Sequence, residues 1–228
     1  MNTPGLINTF LITMLLSTLI LLVVTRLTTE RLISQHHGQK KDFFINHPIQ
    51  NGDIVFVGDS LTDGCRWDEV FPDFQIKNRG INGDLTTGVL IRLPELLDAH
   101  PKAIFLQIGT NDLPWYEYRN DEQIIHTYEQ IIRTCQELSP ETRLYLESIL
   151  PREKSYAKRI QSLNKQIADL AEKYQCTYIH LFPHFADQSS RLRKELTNDS
   201  LHLLGDGYQI WKAQLQPFLD ELKPDLRK

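Results

Sequence analysis

Three short segments of this 228-residue chain carry side chains that can cleave an ester bond together: Gly58-Asp59-Ser60-Leu61, Gly109-Thr110-Asn111-Asp112 and Asp199-Ser200-Leu201-His202. They supply a serine nucleophile, an amide donor for an oxyanion, and a histidine with a carboxylate to orient it. The order serine, aspartate, histidine also occurs in α/β-hydrolases. Here, however, the serine lacks a Gly-x-Ser-x-Gly turn, and the aspartate and histidine share one loop. The sequence therefore predicts shared chemistry on a different scaffold.

The elements that must position these groups alternate between short apolar runs and amphipathic stretches. Apolar runs bounded by turn residues predict five strands, at residues 53–58, 74–78, 103–108, 143–149 and 176–181. Apolar residues that repeat at three and four predict helices between residues 124 and 138 and between 160 and 174. This alternation implies right-handed crossovers and an α/β fold with a parallel sheet covered on both faces.

The predicted strands bring the three segments toward one edge of that sheet. Ser60 follows the first strand, the loop 80–84 follows the second, and Asn111 follows the third. Ligands of open α/β sheets bind at the carboxyl ends of the strands. Asp199 and His202 precede a final helix, predicted over 206–222 with a kink or break at Pro217, and they must reach the same edge.

Over residues 54–219 the chain resembles the SGNH (GDSL) hydrolase family of esterases and lipases. The matching blocks are Gly-Asp-Ser-Leu at 58–61, Asn-Arg-Gly-Ile-Asn-Gly-Asp at 78–84, Gly-Thr-Asn-Asp at 109–112 and Asp-Ser-Leu-His-Leu at 199–203. Within the family it is most similar to the branch with platelet-activating-factor acetylhydrolase catalytic subunits and thioesterase I/lysophospholipase proteins. The resemblance implies a three-layer α/β/α sandwich around a flavodoxin-like, five-stranded parallel sheet.

The resemblance also implies a role for each site residue. Ser60 is the nucleophile, His202 the base and Asp199 its orienting carboxylate. The oxyanion hole is formed by the Ser60 and Gly83 N–H groups and the Asn111 side-chain amide. We prefer Gly83 to Gly80 because it precedes the aspartate of its block, and we expect Gly80 to serve turn geometry. Asp59 is expected to bond the turn, and no cofactor or metal is implied.

The N-terminus is expected to lie outside this hydrolase domain. Residues 2–25 carry no charged side chain, and such a run is long enough to cross a bilayer, which needs roughly 20 residues. A cleavable signal peptide would want a basic residue before the run and a small-residue cut site, and neither is present. We therefore predict a transmembrane anchor over 1–25, a juxtamembrane linker over 26–50 that His36-His37-Gly38 prevents from forming a long helix, a hydrolase domain over 51–222 and a tail over 223–228.

Charged residues predict which side of the membrane the domain occupies. The basic residues near the apolar run all follow it, beginning with Arg26 and Arg31, so the positive-inside rule predicts a cytoplasmic hydrolase domain in a bacterial host. Three cysteines are too few for a disulfide framework and agree with a reducing compartment. A formal charge of −4 gives no footprint for nucleic-acid binding.

The substrate is the least constrained prediction. Trp115 and Tyr116 follow the Asn111 segment, where they either line an acyl or alcohol cleft or pack as ordinary surface aromatics. The first hypothesis is an esterase or lipase on acyl esters, small or lipid. Alternatives are a carbohydrate O-acetylesterase, a lysophospholipase or acyl-thioesterase, and a membrane-tethered binding module with an inactive site.

Overall fold

The computed structural model of the chain describes residues 3–114 and 119–223, with side chains from residue 8 onward. The described residues fall into two compact units, and the boundary lies between Ile45 and Asn46. The first unit consists of the helix α1, Thr3–Asn46, except for its last residue. It contains an apolar stretch long enough to cross a membrane, and none of that stretch is buried inside the protein.

The predicted break at His36-His37-Gly38 is wrong, because α1 runs through these residues without interruption. A single glycine inside a helix costs only about 1 kcal/mol relative to alanine. The neighbouring positions Gln39, Lys40 and Lys41 are good helix formers, so this cost does not end the helix.

The second unit is built on five parallel strands in the order β2-β1-β3-β4-β5. They are β1 Ile54–Gly58, β2 Ile76–Gly80, β3 Ala103–Gln107, β4 Arg143–Glu147 and β5 Thr177–Ile179. The described helices of this unit are α2 Ser60–Asp63, α3 Trp67–Val70, α4 Thr86–Leu97, α5 Asp121–Leu138, α6 Ala157–Lys173, α7 Phe182–Phe185 and α8 Gly205–Asp220. This is the predicted three-layer sandwich with a flavodoxin-like strand order.

Alternate residues of the central strands pack into two separate hydrophobic clusters, one on each face of the sheet. Val55 and Val57 of β1 pack in a cluster with apolar residues of α4, α5 and α6. Ile54 and Phe56 point into the other cluster, which includes Trp67 and Trp211. Burial on both faces explains why these strands appear in the sequence as continuous apolar runs.

The last helix was predicted to kink or break at Pro217. It continues through Pro217 to Asp220, so the break is wrong, and the kink stays a prediction. Proline removes one backbone donor, but the apolar face of α8 is buried at Leu215 and Leu219 on either side of it. Packing of this face holds the helix together across the missing hydrogen bond.

The strand order places the active edge of the sheet. The connection from β1 runs to β2 on one side and the connection from β3 runs to β4 on the other, so the switch point of the sheet lies between the carboxyl ends of β1 and β3. Crevices at such a switch point are where open α/β sheets bind ligands. Ser60 and the Asn111 segment follow the two strands that flank this point.

Candidate active site

Ser60 is presented by a tight turn from β1 into the short helix α2. It is the first residue of α2, and Asp59 caps this helix by accepting a hydrogen bond from Leu61 N at 3.0 Å. The expectation that Asp59 bonds the turn is met by this contact. Gly58 permits the turn, because a Cβ there would lie 2.2 Å from Thr62 Oγ1 and 2.3 Å from Gln107 O.

Ser60, His202 and Asp199 form one hydrogen-bonded chain of side chains. Ser60 Oγ lies 3.0 Å from His202 Nε2, and His202 Nδ1 lies 2.6 Å from Asp199 Oδ2. With Nδ1 bonded to the carboxylate, Nε2 is the ring nitrogen that can accept the serine proton. The loop before α8 therefore reaches the carboxyl end of β1, although 142 positions separate histidine from serine.

Asp199 is fixed by its own loop as well as by the histidine. Its Oδ1 accepts from the backbone N–H groups of Leu201, at 2.9 Å, and His202, at 2.7 Å. Partial burial raises the pKa of this carboxyl, but hydrogen bonds from the side chain and backbone of His202 and the backbone of Leu201 outweigh it and hold the pKa well below its usual range. Asp199 is thus an ionised acceptor near neutral pH. The turn requires Ser200 to adopt a left-handed φ of 66°.

Gly83 and Asn111 lie in loops that contact each other. Gly83 follows β2 with a φ of 76°, a left-handed conformation that favours glycine. Asn111 lies in a 3₁₀ turn over Thr110–Asp112, and its Nδ2 donates to the backbone oxygen of Asp84 at 3.0 Å. The amide has a second hydrogen for another acceptor.

The reason predicted for Gly80 is wrong. Gly80 ends β2 and is not among the glycines with positive φ in the described chain, so turn geometry does not require it. Its Cα instead packs against α2, where a Cβ would lie 2.3 Å from Asp63 N and 2.7 Å from Asp63 Cα. Close approach of strand β2 to the nucleophile helix is what excludes a side chain there.

Buried charges lie behind these loops. Asp84 pairs with Arg92 of α4 at 2.9 Å, and both side chains are at most 5% exposed. Asp112 accepts from Thr86 N at 3.0 Å and from Thr86 Oγ1 at 2.8 Å. These contacts hold the loops after β2 and β3 against α4, and so fix the backbone that carries Gly83 and Asn111.

Asp59 is a buried carboxyl with a single hydrogen bond to its side chain. Its side chain is fully buried, and its Oδ2 is without a hydrogen-bond partner. Burial raises the pKa of Asp59 to about 7; the Leu61 N–H opposes the rise, while the nearby Asp84 and Asp112 carboxylates add to it. A substantial fraction of Asp59 is therefore protonated at neutral pH, directly beside the nucleophile.

Other sequence candidates fare differently. Trp115 and Tyr116 lie outside the described residues. Burial, with a smaller contribution from Asp68, raises the pKa of Cys65 to about 12, so this thiol near Ser60 is a poor nucleophile. Among the described residues, no group of three or more His, Cys, Asp or Glu side chains is placed to hold a metal ion.

Several residues that support the site were not assigned roles from the sequence. Thr197 contacts Asp199 through its hydroxyl, and Arg92 holds Asp84. Arg152 and Arg159 donate to backbone oxygens around the Asn111 turn. All four residues lie outside the sequence blocks that carry the family resemblance.

Fold and site together define the class of protein: a hydrolase of ester bonds built on an α/β/α sandwich. A model of the GDSL-like Lipase/Acylhydrolase family matches residues 56–210, and the chain belongs to this family. The match spans β1 to α8 and so contains every segment of the candidate site.

Two relatives and one more distant structure illustrate the likeness. Platelet-activating factor acetylhydrolase IB subunit alpha1 of Rattus norvegicus is 29% identical over 189 residues, 78% of each chain. A solved structure from Streptococcus pneumonia, provisionally described as a platelet activating factor, is 29% identical with a TM-score of 0.77, covering 86% of this chain and 98% of its own. A GDSL-like lipase from Bacteroides thetaiotaomicron shares the fold at 21% identity, with a TM-score of 0.69 and coverage of 84% and 98%.

Proposed function

We propose that the chain is a serine esterase that hydrolyses carboxylic acyl esters through an acyl-enzyme. The observation that carries this proposal is the side-chain hydrogen-bonded chain from Ser60 through His202 to Asp199. The ionised Asp199 bonds to Nδ1 of His202, which leaves Nε2 as the ring nitrogen placed to act as base toward Ser60.

The proposed reaction begins with proton transfer from Ser60 Oγ to His202 Nε2 as Oγ bonds to the ester carbonyl carbon. The carbonyl electron pair moves onto oxygen, and the tetrahedral intermediate then expels the alcohol, which takes the proton from His202. Water next gives a proton to His202 and attacks the acyl carbon. Release of the acid returns the proton to Ser60 and completes the cycle.

Donors for the oxyanion come from three loops. The Ser60 N–H lies at the start of α2, the Gly83 N–H lies in the turn after β2, and Asn111 offers the amide hydrogen that Asp84 does not use. Donors of this kind act mainly on charge that develops in the transition state, so they raise kcat more than they lower KM.

The substrate class proposed is an acyl ester, small or lipid. The rat relative is named as an acetylhydrolase of platelet-activating factor, and this name supports a short acyl group. The test is a series of p-nitrophenyl esters from acetyl to palmitoyl with the full chain in detergent. Highest kcat/KM on short chains supports an acetyl-type esterase, and highest kcat/KM on long chains supports a lipase. Absence of turnover on every ester contradicts the proposal.

The helix α1 is proposed as a membrane anchor that keeps the hydrolase domain near lipid. Its exposed apolar side chains between Phe10 and Val24 support this role, and the basic residues that follow support a cytoplasmic domain. Protease added to intact spheroplasts of a bacterial host tests both points. A membrane-bound domain that resists cleavage until lysis supports both points. Cleavage from outside would place the domain on the other side of the membrane, and recovery of the domain in the soluble fraction would contradict the anchor.

A further inference from the structure

The 3₁₀ turn that carries Asn111 is held by a contact at each of four consecutive residues. Arg152 Nη1 donates to Thr110 O at 3.0 Å, and Asn111 itself donates to Asp84 O. The carboxylate of Asp112 accepts from Thr86, and the oxygen of Leu113 accepts from Arg159 Nη1 at 2.6 Å. We refer to Thr110–Leu113 as the amide turn.

Among the residues that make these contacts, Arg159 bonds both to the amide turn and to the residues that lead into α5. It lies in the first turns of α6, and its guanidinium makes three short hydrogen bonds in different directions. Nη1 bonds Leu113 O at 2.6 Å, Nη2 bonds Arg119 O at 2.7 Å, and Nε bonds Asp121 Oδ1 at 2.6 Å. The planar five-donor fork of arginine suits such an arrangement, whereas a lysine ammonium does not reproduce it.

These bonds link both ends of the loop between the amide turn and α5. Leu113 closes the amide turn, and Asp121 is the first residue of α5. Arg119, whose backbone Arg159 holds, extends its own side chain back to Asp112 Oδ1 at 3.4 Å and to Thr87 Oγ1 at 3.1 Å. Arg159 therefore reaches the residues on the C-terminal side of Asn111 by two routes, one direct and one through Arg119.

We propose that Arg159 is a positioning residue of the oxyanion hole, which holds the Asn111 amide where the developing oxyanion meets it. The inference rests on the proposed function of Asn111 as an oxyanion donor. A misplacement of about 1 Å can cost roughly 10²-fold in rate. Loss of the hydrogen bonds from Arg159 to Leu113 and Arg119 therefore lowers kcat, although Arg159 does not touch substrate. KM changes little, because ground-state binding does not depend on this donor.

The experiment compares Arg159→Met with Lys158→Met in the full chain. Lys158 precedes Arg159 on α6 and is exposed, so its substitution removes one positive charge from the same helix. We expect Arg159→Met to lower kcat roughly 10- to 100-fold with KM within about threefold, and Lys158→Met to match the unaltered chain. Arg159→Lys is expected to restore less than a third of the lost kcat. An Arg159→Met protein with unchanged kcat, or a loss in KM alone, overturns the proposal.

A double-mutant cycle with Asn111→Ala separates positioning from general destabilisation. If Arg159 acts through Asn111, adding Arg159→Met to Asn111→Ala lowers kcat less than threefold further. Two losses that multiply in full show that Arg159 acts elsewhere and overturn the proposal.

Asp121→Asn, which weakens only the Nε bond, provides a milder second variant if Arg159→Met does not fold, and a several-fold loss of kcat is expected from it. An unchanged kcat in this variant counts against the clamp. If Asn111→Ala itself retains full kcat, the proposed function of Asn111 fails instead.

Discussion

Replacement of Asp59 by asparagine tests whether the site contains a carboxyl that is half protonated at neutral pH. The pKa of Asp59 is about 7 in the folded protein instead of an ordinary 3.8, first because the side chain is fully buried and then because Asp84 and Asp112 lie nearby. Between these two pH values the folded state holds one proton more than the unfolded state. The contribution of Asp59 to the free energy of unfolding therefore falls as pH rises through this window, and this contribution is level above about pH 8.

The magnitude follows from the same numbers. Each pH unit in the window costs about 1.4 kcal/mol, so the full difference is about 4 kcal/mol. Between pH 5 and pH 8, Asp59 alone is expected to lower stability by roughly 2–3 kcal/mol. Asparagine keeps an oxygen for the Leu61 N–H but does not ionise. We therefore expect the stability of Asp59→Asn, relative to the unaltered chain, to rise by this amount over the same interval.

The assay is urea unfolding of both proteins at four pH values, with Ser60→Ala in both backgrounds so that turnover plays no part. Glu147 is a second buried carboxyl, and burial raises its pKa to about 8 although the hydrogen bond from Trp211 lowers it. Because Glu147 is present in both proteins, its effect on stability cancels in the comparison. If the free energies of unfolding of the two proteins change in parallel from pH 5 to pH 8, the raised pKa of Asp59 is refuted. A Glu147→Gln variant that retains the Asp59-dependent slope serves as the control.

Three further predictions concern single residues. Asn111→Ala should lower kcat by roughly 10²–10³ with little change in KM, measured on a p-nitrophenyl ester, and an effect confined to KM would assign Asn111 to substrate placement. Ser200→Gly should stabilise the chain by up to about 1 kcal/mol in urea unfolding, because glycine adopts the left-handed φ without strain; a clear loss of stability would contradict this. Gly80→Ala should destabilise by a few kcal/mol through contact with the Asp63 backbone, and a melting temperature within 2 °C of the unaltered chain, a shift of roughly 1 kcal/mol or less, would contradict it.

The sheet is largely predictable because its strands are buried on both faces. The apolar runs locate β1 and β3 to within one residue at each end, and β4 and β5 to within two. β2 is shifted as a whole by two residues, since it covers Ile76–Gly80 instead of 74–78, and its pattern is mostly half-buried at the edge of the sheet. Edge strands have weaker apolar signals, so their register is less visible in sequence.

Helix α4 shows what periodicity alone misses. Its sequence contains Gly88 and Pro94, which normally argue against a helix, and a buried Arg92 interrupts the apolar face. In the structure the glycine allows Asp84 to approach, because a Cβ would lie 1.9 Å from Asp84 Oδ1. Arg92 faces inward because it pairs with the same carboxylate. A tertiary contact with Asp84, absent from the local sequence, explains both Gly88 and Arg92.

Residue type and block order were enough to predict that Ser60 and His202 lie together, as the structure has them, whereas the role of Asn111 stays a prediction. Residues that act through backbone oxygens could not be predicted, because any arginine can donate to a carbonyl and spacing does not say which one does. Arg159 lies 48 positions from Asn111, and the packing of α6 against α5 brings it to the amide turn. Such contacts follow from topology and appear only in three dimensions.

The central claim, a Ser60 nucleophile activated by His202, is tested most directly by covalent trapping. The full chain is treated with a fluorophosphonate, and the modified residue is identified by mass spectrometry in the unaltered, Ser60→Ala and His202→Ala proteins. The account predicts one adduct on Ser60, none in Ser60→Ala, and labelling at least roughly 10³-fold slower in His202→Ala, with loss of ester hydrolysis in both variants. An adduct on another residue, or wild-type turnover by Ser60→Ala, would contradict it.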